Sequence, residues 1–378
     1  MMKILKHCIW GIFPLAFVAC SKDELELTPP NNNNTNNENP PVKEVELLTP
    51  VDVQATESTK KLYTYLKSVY GKKTFSSTMA NVAWNTQEVA HVYNLTKKYP
   101  AMNCFDFIHI HHSYPDSWIN YLDISPVKNW AEQGGIVFLM WHFAVPEKEG
   151  AGHHVFYADK TTFQISNIFI ENSWESKFFY EQLNNVCDVL LKLQESNISA
   201  LWRPFHEASG KWFWWGSGSS EDYVRLWKLL YDQMQHKGIH NLIWVWTTEG
   251  DDDAWYPGDK YVDIVGRDLY GKNATYSYNQ WKQISDRYSQ KMVSLSECGN
   301  LVESNKIISK QSYIEEQWNS KGARWLYFMP WYDYDFNRGT SSINLMCSDD
   351  FWIDAMSRNY VLNRDDVRKY FSEVTYKK

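Results

Sequence analysis

Between residues 74 and 328 the chain alternates short, nearly unbroken apolar runs with longer stretches whose apolar positions recur every three or four residues. The short runs fall at 74–77, 104–110, 136–141, 200–205, 242–246, 263–266, 292–295 and 324–328. A strand reads this way when both of its faces are buried, as in a parallel sheet covered by helices. Among the helical stretches, Phe179, Leu183, Val186, Leu190 and Leu193 mark one face of a helix. Ser219 and Asp222 have capping-box spacing for the next helix, and Gly238 suits its C-terminal stop. Eight strands alternating with helices in one domain predict a (β/α)₈ TIM barrel. An open doubly wound sheet would carry a glycine-rich phosphate loop, and Gly71-Lys72-Lys73 is no such loop.

The N-terminus falls outside this pattern. Lys3 and Lys6 precede an apolar run over 8–19 that is too short for a permanent membrane span. It ends in Phe17-Val18-Ala19-Cys20, which resembles a bacterial lipoprotein signal, with Phe17 where leucine is usual. The resemblance implies cleavage after residue 19 and lipidation of Cys20. Ser21-Lys22-Asp23-Glu24 resembles the acidic export tag of surface lipoproteins in some Gram-negative bacteria. Residues 29–42, PPNNNNTNNENPPV, are too polar to bury a core and read as a tether. The expected organisation is a signal at 1–19, a lipidated tether at 20–42 and a barrel at 43–378 on the outer membrane, exposed at the cell surface.

Composition narrows the function. A net charge of −7 lacks the basic footprint that nucleic acid requires. Aromatic residues make up 16% of the chain, 19 of them tryptophan, which suits either an aromatic-rich core or a cleft lined with flat apolar rings. Composition alone favours the core. The cysteines, Cys8, Cys20, Cys104, Cys187, Cys298 and Cys347, form no C-x-x-C pair or zinc spacing and leave disulfides open.

In a barrel of this kind the residues at the C-terminal ends of the strands build the active site. Those positions hold His142 after the third strand, His206 and Glu207 after the fourth, and Asp268 and Tyr270 after the sixth. Glu297 follows the seventh and Trp331 the eighth. Two carboxyls flanking one bond are what glycoside hydrolysis needs, one to protonate the leaving oxygen and one to attack or to activate water. Strand-end glutamates also cap helices, so position alone does not choose between the two readings.

The local words tip the balance. Trp202-Arg203-Pro204-Phe205-His206-Glu207, followed by Ala208-Ser209-Gly210-Lys211-Trp212-Phe213-Trp214-Trp215-Gly216, closely resembles the acid/base motif of glycoside hydrolase family 26. Ser296-Glu297-Cys298-Gly299 resembles that family's nucleophile motif, and the likeness runs from about Gly71 to Asp335, including Lys98-Tyr99-Pro100-Ala101. The resemblance implies a (β/α)₈ barrel, retention of configuration and, in most members, activity on β-1,4-mannan. It also implies Glu207 as acid/base and Glu297 as nucleophile. His206 and Tyr270 would orient these carboxyls or hold the sugar, Trp212 and Trp331 would wall the cleavage point, and Arg203 would support it from beneath. His142 would lie toward the leaving-group side, and Asp268 joins the substrate-binding set. Ala208-Ser209 departs from the Met-Asn common after the acid/base. Apolar neighbours and an ionised Glu297 should raise the pKa of Glu207, while a tyrosine hydroxyl should keep the nucleophile ionised.

Other clusters read as structural. On a strand, His109 and His111 share a face, and His112, His153 and His154 lie further along the chain, but no thiolate or carboxylate at ligand spacing accompanies them and no metal is expected. The acidic run 249–253 lacks the ligand alternation of a calcium loop and reads as a solvated turn. Trp174, Trp227 and Trp281 fit helix packing, and nothing marks Cys298 as a catalytic thiol.

The expectation is therefore an endo-β-1,4-mannanase acting as a monomer on mannan, glucomannan or galactomannan by double displacement, with no cofactor. The alternatives are an exo-acting mannobiohydrolase, a xylanase or β-glucanase of the same family, and a surface glycan-binding lipoprotein without catalysis.

Overall fold

The structure is a computed structural model that describes residues 43–80, 84–113, 119–304, 306–333 and 345–377. Cys20 and the segments expected as signal and tether lie outside the described residues. Eight parallel strands close on themselves: β1 (Thr74–Met79), β2 (Met102–Asp106), β3 (Ile136–Trp141), β4 (Ala200–Pro204), β5 (Leu242–Thr248), β6 (Ile264–Tyr270), β7 (Met292–Gly299) and β8 (Tyr327–Pro330). Each pairs with its sequence neighbour, and β8 pairs with β1 through Tyr327 opposite Phe75 to complete the barrel. Helices between the strands cover the outside, making the expected (β/α)₈ TIM barrel.

Burial on both faces explains the unbroken apolar runs, and strand parity sorts them into two cores. Along β3, Ile136, Phe138 and Met140 point into the barrel, whereas Val137, Leu139 and Trp141 pack outward under the helices. Along β5, Ile243 and Val245 point inward and Leu242, Trp244 and Trp246 outward. The outer core absorbs most of the tryptophan. Trp141, Trp202, Trp214, Trp215, Trp227, Trp244, Trp246 and Trp325 are all fully buried. Several find carbonyl partners for their indole N–H groups, such as Trp214 to Phe143 at 2.6 Å. Trp174 and Trp281 pack against this core from helices.

The helix over Trp174–Glu195 buries its whole predicted face. On the next, Ser220–His236, Ser219 caps the N-terminus by accepting from the Asp222 backbone N–H at 3.1 Å. The box is half formed, because Ser219 donates its hydroxyl to the Asp222 carboxylate at 3.0 Å. Gly238 takes the left-handed turn after the helix at φ +77°.

Helix Glu57–Val69 crosses the N-terminal mouth of the barrel and plugs it with Leu62, Tyr65 and Leu66. Thr56 N–H donates to the carbonyl of His240, just before β5, and Thr59 bonds Ser199, just before β4. The described chain starts on this face, where Lys43–Val45 pairs with Val374–Tyr376. The opposite, C-terminal face carries the site.

Strand ends differ from the sequence reading at several strands, five of them with consequences for the site or its surroundings. The second strand stops at Asp106 rather than 110, because the chain turns into a short helix at Ile110–Ser113. That helix removes the shared strand face expected for His109 and His111; His111 instead lies against His154, ring centroids 4.3 Å apart. The fourth ends at Pro204, because Phe205 has φ +50°. The eighth runs over Tyr327–Pro330 rather than 324–328. The sixth and seventh run on to Tyr270 and Gly299, so Asp268, Tyr270 and Glu297 sit within strands rather than after them.

Candidate active site

Strand parity delivers polar side chains to the top of the barrel interior. Leu201 points inward on β4, and so does Arg203 two residues on, fully buried. Thr247 follows Ile243 and Val245 on the inward face of β5 and accepts from Arg203 Nε at 2.9 Å. On β6, Gly266 leaves room that Ser296 fills, since a Cβ there would lie 2.3 Å from Ser296 Oγ. Asp268 comes next on the same face, and Arg203 Nη2 donates to it.

Glu297 arrives through an irregularity. Leu295 pairs with Arg267, but Glu297, not Ser296, pairs with Asp268. The skipped residue turns Glu297 inward although Ser294 and Ser296 have the opposite parity. Its Oε1 accepts from Arg203 Nη1 at 2.6 Å and its Oε2 from the Tyr270 hydroxyl at 2.7 Å. His206 Nε2 stands 3.8 Å from Oε1.

Glu207 completes the group from the first turn after β4. Trp212, 41% exposed, donates its indole N–H to Glu207 Oε2 at 3.0 Å. One carboxylate oxygen from each of Glu207, Asp268 and Glu297 lies within 4.8 Å of the others. Among the described residues this is the group of three acids or ligand types placed to share a metal ion. Arg203 already sets its cation between two of the three.

The remaining members are joined through His142. Its ring centroid lies 4.4 Å from that of His206 and 5.6 Å from that of Trp331. Beneath it is Asp106, buried, which accepts from the His142 backbone N–H at 3.0 Å and pairs with Nδ1 at 2.5 Å. The nine expected residues, His142, Arg203, His206, Glu207, Trp212, Asp268, Tyr270, Glu297 and Trp331, therefore form one connected cluster.

The electrostatics separate the two glutamates. Burial, then the charges of Glu297 and Glu249, push Glu207 up to about 7. Glu297 sits between a cation and a hydroxyl donor. Burial works against the Arg203 charge, but Asp268 and Glu297 raise its pKa, so it stays a cation. Burial and the nearby Glu297 hold the Tyr270 hydroxyl well above its ordinary value, so it keeps its proton and donates. Burial, with His142 and Arg203 beside it, holds His206 well below its ordinary value and therefore neutral. Burial opposes charge on His142 too, but Asp106 outweighs it and raises the imidazole. Burial pushes Asp268 well up against the pull of Arg203, with Glu297 and Glu207 adding to the rise.

Four participants escaped the sequence reading. Asp106 was hidden inside an expected strand, and Thr247 lay just beyond one. The acidic run after β5 is no solvated turn throughout: Asp252 is buried, and Glu249 pairs with Arg267 at 2.9 Å. Asp251 and Asp253 alone in that run are exposed acids. Cys104, Cys187, Cys298 and Cys347 are buried and free, with burial first among the causes raising all four thiols.

Comparison with known proteins points the same way as the geometry. The sequence model of glycosyl hydrolase family 26 matches residues 51–363. A mannan endo-1,4-beta-mannosidase of Thermothelomyces thermophilus is 29% identical over 322 residues, covering 83% of this chain and 62% of that protein. Mannan endo-1,4-beta-mannosidase B of Piromyces is 31% identical over 335 residues, covering 85% of this chain and 54% of its own. The chain thus spans between about half and three-fifths of these curated relatives' lengths. Among solved structures, the family 26 domain of an endo-beta-mannanase/endo-beta-glucanase from Prevotella bryantii is 44% identical, with a TM-score of 0.77, covering 84% of this chain and 98% of that one.

Proposed function

Because the chain belongs to glycosyl hydrolase family 26, we propose that it is a retaining endo-β-1,4-mannanase with Glu207 as acid/base and Glu297 as nucleophile. The observation that carries this reading is the pair itself: two carboxyls within 4.8 Å, one pushed up to about 7 and the other clamped by Arg203 and Tyr270. Retaining enzymes hold their carboxyls about 5–5.5 Å apart, whereas inverting ones leave room for a water at about 6.5–9.5 Å. The names of the curated relatives support mannan as substrate and internal cleavage as the mode. A binding role without catalysis would leave this pair without a use.

In the first displacement a Glu297 oxygen attacks the anomeric carbon while the bond to the leaving sugar breaks. Glu207 transfers its proton to the departing oxygen, which leaves as a neutral hydroxyl. In the second, the Glu207 carboxylate takes a proton from water as the water oxygen attacks the same carbon, and Glu297 departs as a carboxylate. Arg203 and Tyr270 stabilise that carboxylate before and after. Trp212 and Trp331 offer flat apolar faces to the sugar.

Early hydrolysis of mannohexaose followed by proton NMR should give the β-anomer first, with cuts at internal bonds. Initial α-product, or xylan or β-glucan cleaved in preference to mannan, would defeat the assignment. The pH dependence carries a second expectation. Glu207 must be protonated to act as an acid, so kcat/KM should fall as pH rises through about 7. A profile flat from pH 6 to 9 would contradict it.

We propose also that the protein is a surface lipoprotein anchored through Cys20. The signal-like residues 8–20 and the polar segment 29–42 support this, and the described chain starts on the barrel face away from the carboxyls. One acyl chain binds membranes only marginally and several hold firmly. Cys20→Ala should shift the protein from the membrane fraction to the soluble one. Protease added to intact cells should remove the wild-type barrel, and its survival would place it in the periplasm.

A further inference from the structure

Glu207 leaves β4 through backbone that its side chain does not favour. Its φ is +52° and that of Phe205 is +50°, both in the left-handed region that residues other than glycine seldom adopt. Such backbone persists only where the surroundings over-determine it. On the near side, Tyr223 donates its hydroxyl to the Phe205 carbonyl at 3.1 Å, and Trp215 its indole N–H to the His206 carbonyl at 2.7 Å. On the far side lies the turn Ala208–Gly210, and there Ser209 donates its hydroxyl to Asp252 Oδ2 at 2.7 Å.

Asp252 is buried and bonded through both oxygens. Oδ1 accepts the Thr248 hydroxyl, and Oδ2 also accepts the Glu249 backbone N–H at 2.8 Å. One carboxylate therefore clamps the end of β5 to the turn behind the acid. The clamp does more than hold a loop. It also holds the backbone of Glu249, one of the charges that raise the Glu207 pKa.

We propose that Ser209 and Asp252 are positioning residues for the acid/base: they fix where the Glu207 carboxyl points without touching substrate. The inference rests on the assignment of Glu207 made above. A reacting group displaced by about 1 Å can lose as much as about a hundred-fold in rate. A mispositioned acid, however, matters only where the leaving oxygen needs its proton.

Ser209→Ala should therefore lower kcat/KM on mannohexaose about ten-fold, the order of effect of losing one hydrogen bond to a buried acceptor. On 2,4-dinitrophenyl β-mannobioside, whose phenolate departs unaided, the loss should stay within about two-fold. Ser209→Thr keeps the hydroxyl and should restore the mannohexaose rate to within about two-fold of wild type. Asp252→Asn should show the same split, with melting temperatures measured alongside; if it does not fold, the two Ser209 variants decide. Equal losses on both substrates, or a wild-type rate of Ser209→Ala on mannohexaose, overturn the proposal. A wild-type enzyme inactive on mannohexaose is a different result, which overturns the mannanase reading and this inference with it.

Discussion

Glu297→Ala should abolish hydrolysis of every β-mannoside, whatever its leaving group, by at least about 10⁴-fold in kcat. Without the carboxylate there is no glycosyl-enzyme, and a better leaving group cannot restore a bond that has nowhere to form. The variant loses one partner of the buried Arg203, but Asp268 and Thr247 still hold that guanidinium. The fold should therefore survive, which circular dichroism can check. Glu297→Gln is the stricter test, because it keeps the shape and one acceptor for Tyr270 while removing the nucleophilic charge. It should be as inactive as the alanine variant on both mannohexaose and an aryl mannoside. Activity within about a hundred-fold of wild type in either variant would remove Glu297 from the nucleophile's role.

The parts of this site that were legible in the sequence are those where local pattern and barrel geometry agree. Arg203 lies two residues beyond Leu201, so plain strand parity places it inside the barrel. The same parity misleads at Glu297, which reaches the interior only because the pairing of β7 with β6 skips Ser296. No alternation of residue types announces such a shift, and it was the motif word, not periodicity, that singled out Glu297.

Strand ends were misjudged for a related reason. The upper interior of the barrel is polar because it is the site, so Asp268, Tyr270 and Glu297 look like the start of a loop when strands are recognised by apolarity. At β2 the error ran the other way. Phe107, Ile108 and Ile110 continued the apolar run past Asp106, and the acid supporting His142 passed for an interruption in a strand. Asp252 was lost among exposed neighbours in an acidic run, where only the three-dimensional arrangement separates the buried carboxylate from the solvated ones. The tryptophan count followed the simpler physical reading: most of the indoles fill the outer core, while Trp212 touches Glu207 and Trp331 lies beside His142.

Glu207→Ala should behave differently from the nucleophile variants, and the difference identifies the acid. A sugar hydroxyl leaves poorly without a proton, and general acid help of this kind is worth about 10²–10⁴-fold. Hydrolysis of mannan should fall by that factor. An acidic phenol leaves as its anion, so an aryl mannoside should still form the glycosyl-enzyme readily. The second step then stalls, because Glu207 is also the base that draws a proton from water. The intermediate should accumulate, giving a burst of phenol followed by slow turnover. Azide is small enough to enter the space left by the side chain, and it attacks without a base. It should speed turnover and yield β-mannosyl azide, with configuration retained because Glu297 held the opposite face. Removing Glu207 also removes the group whose pKa is pushed up to about 7. The fall in kcat/KM above that pH should therefore vanish for the variant on the aryl substrate. Should azide rescue Glu297→Ala to give the inverted α-azide while leaving Glu207→Ala unchanged, the two roles are exchanged; should neither variant respond and both keep mannan activity, the acids at work lie elsewhere in the barrel.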